Sequence, residues 1–236
     1  MVEPLVLLPG MMCDARLYFH QIVRFSQVRP VTVAPTLIGD RVEEVAVTLL
    51  ENLPGRFALV GLGLGGAVAL EIIRRAPERV SRLFLMSIDA QADTPQIAAT
   101  REPLIVKARA GRLDDVMREV LPVDALAPGP NRNSMMGALV DVAVELGPDV
   151  FESQMRLLQR RPDQQSTLRK IKVPTHILCG AHDTLTPMRK QAFIADLIPG
   201  AILQVVDEAG HLPTLEAPEA ATEAIEQWLK VPLSFF

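Results

Sequence analysis

FALVGLGLGGAVAL, residues 57–70, reads as an apolar strand, a glycine turn and the start of a helix. Two motifs overlap on it. Gly61, Gly63 and Gly66 spell G-x-G-x-x-G, a loop that can carry a dinucleotide pyrophosphate. Gly61, Gly63 and Gly65 spell G-x-S-x-G with glycine where the serine of a nucleophile elbow would stand. The rest of the chain has to decide between a phosphate loop and an elbow without its nucleophile.

Working outward, short apolar runs at 5–8, 31–34, 57–60, 83–88, 176–179 and 202–206 predict strands. They lack clean polar alternation, as expected of strands covered on both faces. Helical spacing lies between them. Val42, Val45, Ala46, Leu49 and Leu53 share one face, and Ala67, Leu70, Ile73 and Arg74 continue the helix after the glycine turn until Pro77 closes it. A last helix over 218–229 turns Ala221, Ile225, Trp228 and Leu229 inward. Alternating strands and helices predict an α/β fold, a doubly wound and mostly parallel sheet. Residues 94–167 break the alternation with helical patterns interrupted by Pro122, Pro128, Pro130 and Pro148. This predicts a core from 1–92 and 171–236, with 93–170 as a helical lid insertion.

The balance of 24 Lys and Arg against 28 Asp and Glu gives a formal charge of -4, which argues against nucleic acid as a partner. The longest uncharged stretch is the glycine-rich quotation itself, too short to span a bilayer. The opening MVEPLVLLPG makes a poor secretory signal and a good first strand. Cys13 and Cys179 form no disulfide framework, so a cytoplasmic setting is expected. No H-E-x-x-H or carboxylate cluster suggests a metal.

The dinucleotide reading asks for an acid at the end of the following strand, and Asp89 meets that demand. Yet this glycine loop does not open the sheet, and nothing else in the chain speaks for a nicotinamide or flavin. The elbow reading asks for more: an acid after a later strand, then a histidine after the last one. In ILCGAHDTLTP, 177–187, Asp183 lies just past a strand. In VVDEAGHLPTLEAP, 205–218, His211 follows the last strand and precedes a helix. The order is nucleophile position, Asp, His, and three independent placements agree with it. With "LLPG" near the start and "LVGLGLGGAVALEIIRRAPERV" in the middle, the chain resembles the α/β-hydrolases of the small esterase and lipase-like type over its whole length. Two departures stand out: Gly63 replaces the nucleophilic serine, and Pro9 stands where many members have histidine.

The resemblance implies that His211 is the base, Asp183 its orienting acid, and the backbone N–H groups of Met11 and Leu64 the oxyanion hole. It implies a small carboxylic ester, or a related amide, carbamate or lactone, as substrate, and no cofactor. Asp207 and Glu208 are the competing acids, while His20, His176 and His182 read as surface or satisfied core residues. Cys13 reads as a small buried hydrophobe. Met135 and Met136 line an acyl pocket or pack the lid. Glycine at 63 closes the acyl-enzyme route. The survival of Asp183 and His211 favours an engineered Ser→Gly change in a working hydrolase over a natural binding or sensing protein, with an NAD(P)-dependent oxidoreductase as the remaining alternative.

Overall fold

The computed structural model describes residues 2–37 and 39–233, so the outermost ends of the two expected core segments lie outside the described residues. Six strands, β1 (Leu5–Leu8), β2 (Val31–Val33), β3 (Phe57–Leu62), β4 (Val80–Met86), β5 (Thr175–Gly180) and β6 (Ile202–Val206), form one sheet. Their order is β2-β1-β3-β4-β5-β6, and every neighbouring pair runs parallel. The helices are α1 (Phe19–Phe25), α2 (Val42–Asn52), α3 (Leu64–Arg75), α4 (Pro95–Arg109), α5 (Leu113–Val120), α6 (Arg132–Leu146), α7 (Pro148–Arg160), α8 (Gln165–Leu168), α9 (Met188–Leu197), α10 (Pro213–Glu216) and α11 (Pro218–Lys230).

The four inner strands are buried along their whole length, and the edge strands β2 and β6 are more exposed. Alternate side chains feed two separate cores. Leu5, Leu7, Val60, Leu62, Phe84 and Met86 join one; Val6, Leu8, Leu59, Leu83, Leu85 and Ile177 join the other. That is the period-2 geometry of a strand with helices on both sides, which explains why no polar alternation was visible in the sequence. Among the described residues no strand falls between β4 and β5. Helices α4 to α8 fill that interval, and Ile105, Val116, Leu139 and Met155 from them join the first core rather than forming one of their own.

Strand boundaries differ from the sequence expectation, most at β3 and β4, for physical reasons. β3 runs on through Gly61 and Leu62, because both still pair with Leu85 and Met86 of β4. β4 starts at Val80, opposite Phe57 across a register irregularity, and ends at Met86 because Ser87 takes φ +49 and leaves the extended region.

The chain steps from β1 outward to β2 and then crosses to β3 on the other side of β1. The crevice at the carboxyl ends of β1 and β3 is therefore the topological switch point, where sites form in such sheets. The first turn of α3 lies close against it. A Cβ on Gly65 would come within 2.2 Å of the Leu8 carbonyl oxygen, and one on Gly66 within 2.2 Å of the Ile88 side chain. A Cβ on Gly61 would meet the backbone of Gly65 and Gly66 at 2.7 Å. Three of the four glycines of the quoted stretch thus serve strand-to-helix contact, which removes the need for a phosphate to explain them.

Gly65→Ala is expected to lower folding stability by about 3 kcal/mol or more, since the obstacle is strand backbone. Gly137→Ala, inside α6 where nothing lies within 4 Å of the new methyl, is expected to raise it by about 0.5–1 kcal/mol. Urea unfolding midpoints of the two variants check this contrast.

Candidate active site

Three residues with nearly the same left-handed φ cluster at the switch point: Met12 at +50, Gly63 at +53 and Ser87 at +49, just beyond β1, β3 and β4. Non-glycine residues there cost about 1–3 kcal/mol each and persist only where the surroundings enforce them. At Gly63, φ +53 and ψ −115 turn the chain sharply from strand to helix. Its N–H donates to the Met86 carbonyl at 2.9 Å, which pins the tip of the turn to β4.

A side chain at position 63 would find room. A Cβ built there meets nothing closer than 4.0 Å, and the three atoms at that distance are Gly10 Cα, the Ser87 carbonyl oxygen and His211 Nε2. The imidazole therefore faces the open space where a side chain at residue 63 would lie. Its other nitrogen, Nδ1, lies 2.9 Å from Asp183 Oδ2. An ionised carboxylate only accepts hydrogen bonds, so Nδ1 donates to Asp183 and Nε2 is left facing residue 63.

Asp183 sits one turn beyond β5, and its carboxylate is wholly buried. Oδ1 accepts the N–H groups of Leu185 and Thr186 at 2.9 and 2.8 Å, and Oδ2 also accepts the Thr186 hydroxyl at 2.6 Å. Burial raises its pKa, but the bond to His211, the charge of that imidazole and the Thr186 donors outweigh it, and the net shift is below the ordinary 3.8. Asp183 also organises its own turn, so one carboxylate holds both that turn and the His211 ring. Asp207 and Glu208, the competing acids, are exposed.

His211 is held from the main chain. Its N–H donates to the Ala125 carbonyl at 2.8 Å. Glu216 of α10 accepts the flanking N–H groups of Gly210 and Leu212 at 2.9 and 2.7 Å, and that of Ala127 at 2.6 Å. The turn after β1 is held as firmly. Tyr18 donates its hydroxyl to the Leu8 carbonyl at 2.9 Å. Gln154 of α7, fully buried, accepts the Met12 N–H at 2.8 Å and donates to the Thr36 carbonyl at 3.1 Å. The sequence reading missed both Gln154 and Glu216. Glu216 had a signal in its spacing after Gly210-His211. Gln154 had none, because its partner is 142 residues away.

Met11, Gly63, Leu64 and His211 share the wall of one cavity of about 300 Å³. Leu64 opens α3, where the first N–H groups have no partner inside the helix. No hydrogen bond engages the Met11 N–H among the described residues. Cys13 reaches the same wall, but burial and the nearby Asp14 push its thiol up to about 12, so it is no thiolate nucleophile. Met136 is buried in the first core, whereas Met135 lines a neighbouring apolar cavity. His176 stacks on Phe84 at 4.9 Å and meets Gln204 at 3.0 Å, as a satisfied core histidine, while His20 and His182 are exposed. Asp89, the acid of the dinucleotide reading, is bound to Lys190 at 2.7 Å.

A family model described as the alpha/beta hydrolase family matches residues 5–225. The chain belongs to that family. A pimeloyl-[acyl-carrier protein] methyl ester esterase of Aromatoleum aromaticum is 30% identical over 201 residues, 80% of each chain. The protein of the same name from Methylococcus capsulatus is 26% identical over 202 residues, 83% of this chain and 79% of that one. Among solved structures, a thermophilic esterase from Thermogutta terrifontis superposes with a TM-score of 0.87 at 23% identity, covering 99% of this chain and 92% of its own. An enol-lactonase from Burkholderia xenovorans follows at 0.84 and 21%, covering 97% and 92%. These two show the same fold.

The depressed Asp183 carboxyl makes a pH prediction. The unfolded chain binds its proton more readily than the folded one, so the stabilisation is complete above the unfolded value near 4. It is lost as pH falls through the lower folded value. Asp183→Asn is expected to lose about 1–3 kcal/mol at neutral pH, with the deficit against the parent shrinking below about pH 4. Urea unfolding of both proteins across that range checks it.

Proposed function

We propose that this chain carries the site of a carboxylic-ester hydrolase from which the nucleophilic hydroxyl is missing. The observation that supports this best is the aim of His211. One ring nitrogen is tied to a buried carboxylate, and the other points at the vacant side-chain position of Gly63. A hydroxyl on a Cβ there would come within about 3 Å of Nε2, the reach needed for proton transfer.

With serine at position 63 the reaction would follow the acyl-transfer route. The hydroxyl oxygen would attack the ester carbonyl, and His211 Nε2 would take its proton and return it to the leaving alcohol. Asp183 would stabilise the imidazolium, and the N–H groups of Met11 and Leu64 would hold the oxyanion. Pro9, in place of the family's histidine, leaves these backbone donors untouched. With glycine the covalent intermediate cannot form. Water activated by His211 is the remaining nucleophile, and the ester is bound far better than it is cleaved. The chain is then an inactive form of a working enzyme, whose origin as a Ser→Gly change is read from the intact Asp183 and His211.

The ester bond is preferred over amide, carbamate or lactone because both relatives are named methyl ester esterases. A cavity near the lower end of the usual range suits a short substrate. Residues 93–170 act in this reading as the lid, since Arg101 and Leu121 close part of the cavity wall. The two free buried thiols, Cys13 and Cys179, fit a reducing compartment, and the cytoplasm is the setting assigned.

Gly63→Ser is expected to hydrolyse short-chain nitrophenyl esters with an acyl-enzyme burst, at roughly 10³-fold or more over the unsubstituted chain. A folded Gly63→Ser protein inert toward every ester would favour a protein that holds its ligand without cutting it.

A further inference from the structure

The cavity wall also carries a charge cluster that ester chemistry does not use. Asp89, Asp93, Arg101, Arg161 and Lys190 all line it. Asp93, whose side chain is 2% exposed, accepts Arg101 Nε at 2.6 Å and the Arg161 guanidinium at 3.1 Å. Asp89 accepts Lys190 Nζ at 2.7 Å and lies 3.8 Å from Arg161. Three cations therefore face two carboxylates.

The surplus falls on Arg161. Its side chain is only 11% exposed, and its Nε is buried with no acceptor among the described residues. Burial pulls its pKa down, against the attraction of Asp89 and Asp93. Met117, Leu121, Leu139 and Leu158 supply apolar wall beside it. A cluster that only tied the helices of 93–170 to the core would be complete with two cations for its two acids. A third cation beside apolar side chains is costly unless an anion completes it.

We infer that Arg101, Arg161 and Lys190 form an anion subsite, and that the substrate is an ester carrying a carboxylate at its other end. The inference rests on reading this cavity as the ester site. Arg161 suits the task, because a guanidinium presents paired donors in a plane that matches a carboxylate. The small cavity sets the substrate's length. His211, Gly63 and the three cations line the same cavity, so a short dicarboxylic acid esterified at one end is the substrate inferred.

The test uses the unsubstituted chain, which lacks the nucleophile and leaves an ester intact during titration. Calorimetry compares monomethyl glutarate with dimethyl glutarate at fixed ionic strength. The charged monoester is expected to bind roughly tenfold tighter or more, from at least one added charge-assisted hydrogen bond. The preference should disappear in Arg161→Gln and shrink in Arg161→Lys. Arg161→Gln also removes a partner from buried Asp93 and can impair folding. Lys190→Gln, at a 39% exposed side chain, keeps the test usable and should weaken monoester binding alone. Equal affinities, a preference unchanged in Arg161→Gln or Lys190→Gln, or no binding of the monoester would each overturn the subsite. Tighter binding of inorganic phosphate than of glutarate would overturn the carboxylate assignment. Failure of Gly63→Ser on esters would strike the hydrolase reading alone, because the binding preference is measured without turnover.

Discussion

The structure depends on how closely the amino end of α3 approaches the carboxyl ends of β1 and β3. Gly65 lies over the Leu8 carbonyl and Gly61 under the first turn of the helix, with no room for a methyl at either. Full burial of a leucine contributes about 1.5–3 kcal/mol, and α3 buries every side chain from Leu64 to Ile73. That contact compels the chain to turn within one residue at Gly63. The sharp turn in turn leaves position 63 at the tip of the crevice, with the free N–H groups of a helix start beside it.

The second requirement is that partners distant in sequence hold still. Asp183 and His211 come from the ends of β5 and β6, adjacent parallel strands, so their approach follows from sheet order. Their orientation does not. It comes from Thr186 on one side and from Ala125 and Glu216 on the other. Gln154 plays the same part for the strained Met12 turn. The α4–α7 segment therefore braces the site through hydrogen bonds as well as lining its cavity. Removing one such partner would leave a buried donor or acceptor unpaired, which costs more than the bond itself contributes.

What was legible in the sequence is what local chemistry determines. The strand, glycine turn and helix of 57–70 were readable because each has its own pattern over a few residues. Asp183 and His211 were readable because each follows a strand within a short motif. The limits of β4 were not, since they depend on pairing with Phe57 and on the left-handed backbone of Ser87. Gln154, like the Asp93–Arg161 cluster, gives no local signal: a glutamine or an arginine on a polar helix looks the same whether it meets solvent or a buried partner. Only the fold shows that these side chains turn inward.

The central claim is that every part of an acyl-transfer site except the nucleophile is in place. It is tested most directly by reacting the chain with a fluorophosphonate and locating the adduct by mass spectrometry. Gly63→Ser should take up one phosphonyl group, at position 63. The unsubstituted chain should take up none, and the double variant Gly63→Ser/His211→Gln should react very much more slowly. A folded Gly63→Ser protein that stays unlabelled, or that labels equally well without His211, would contradict the account.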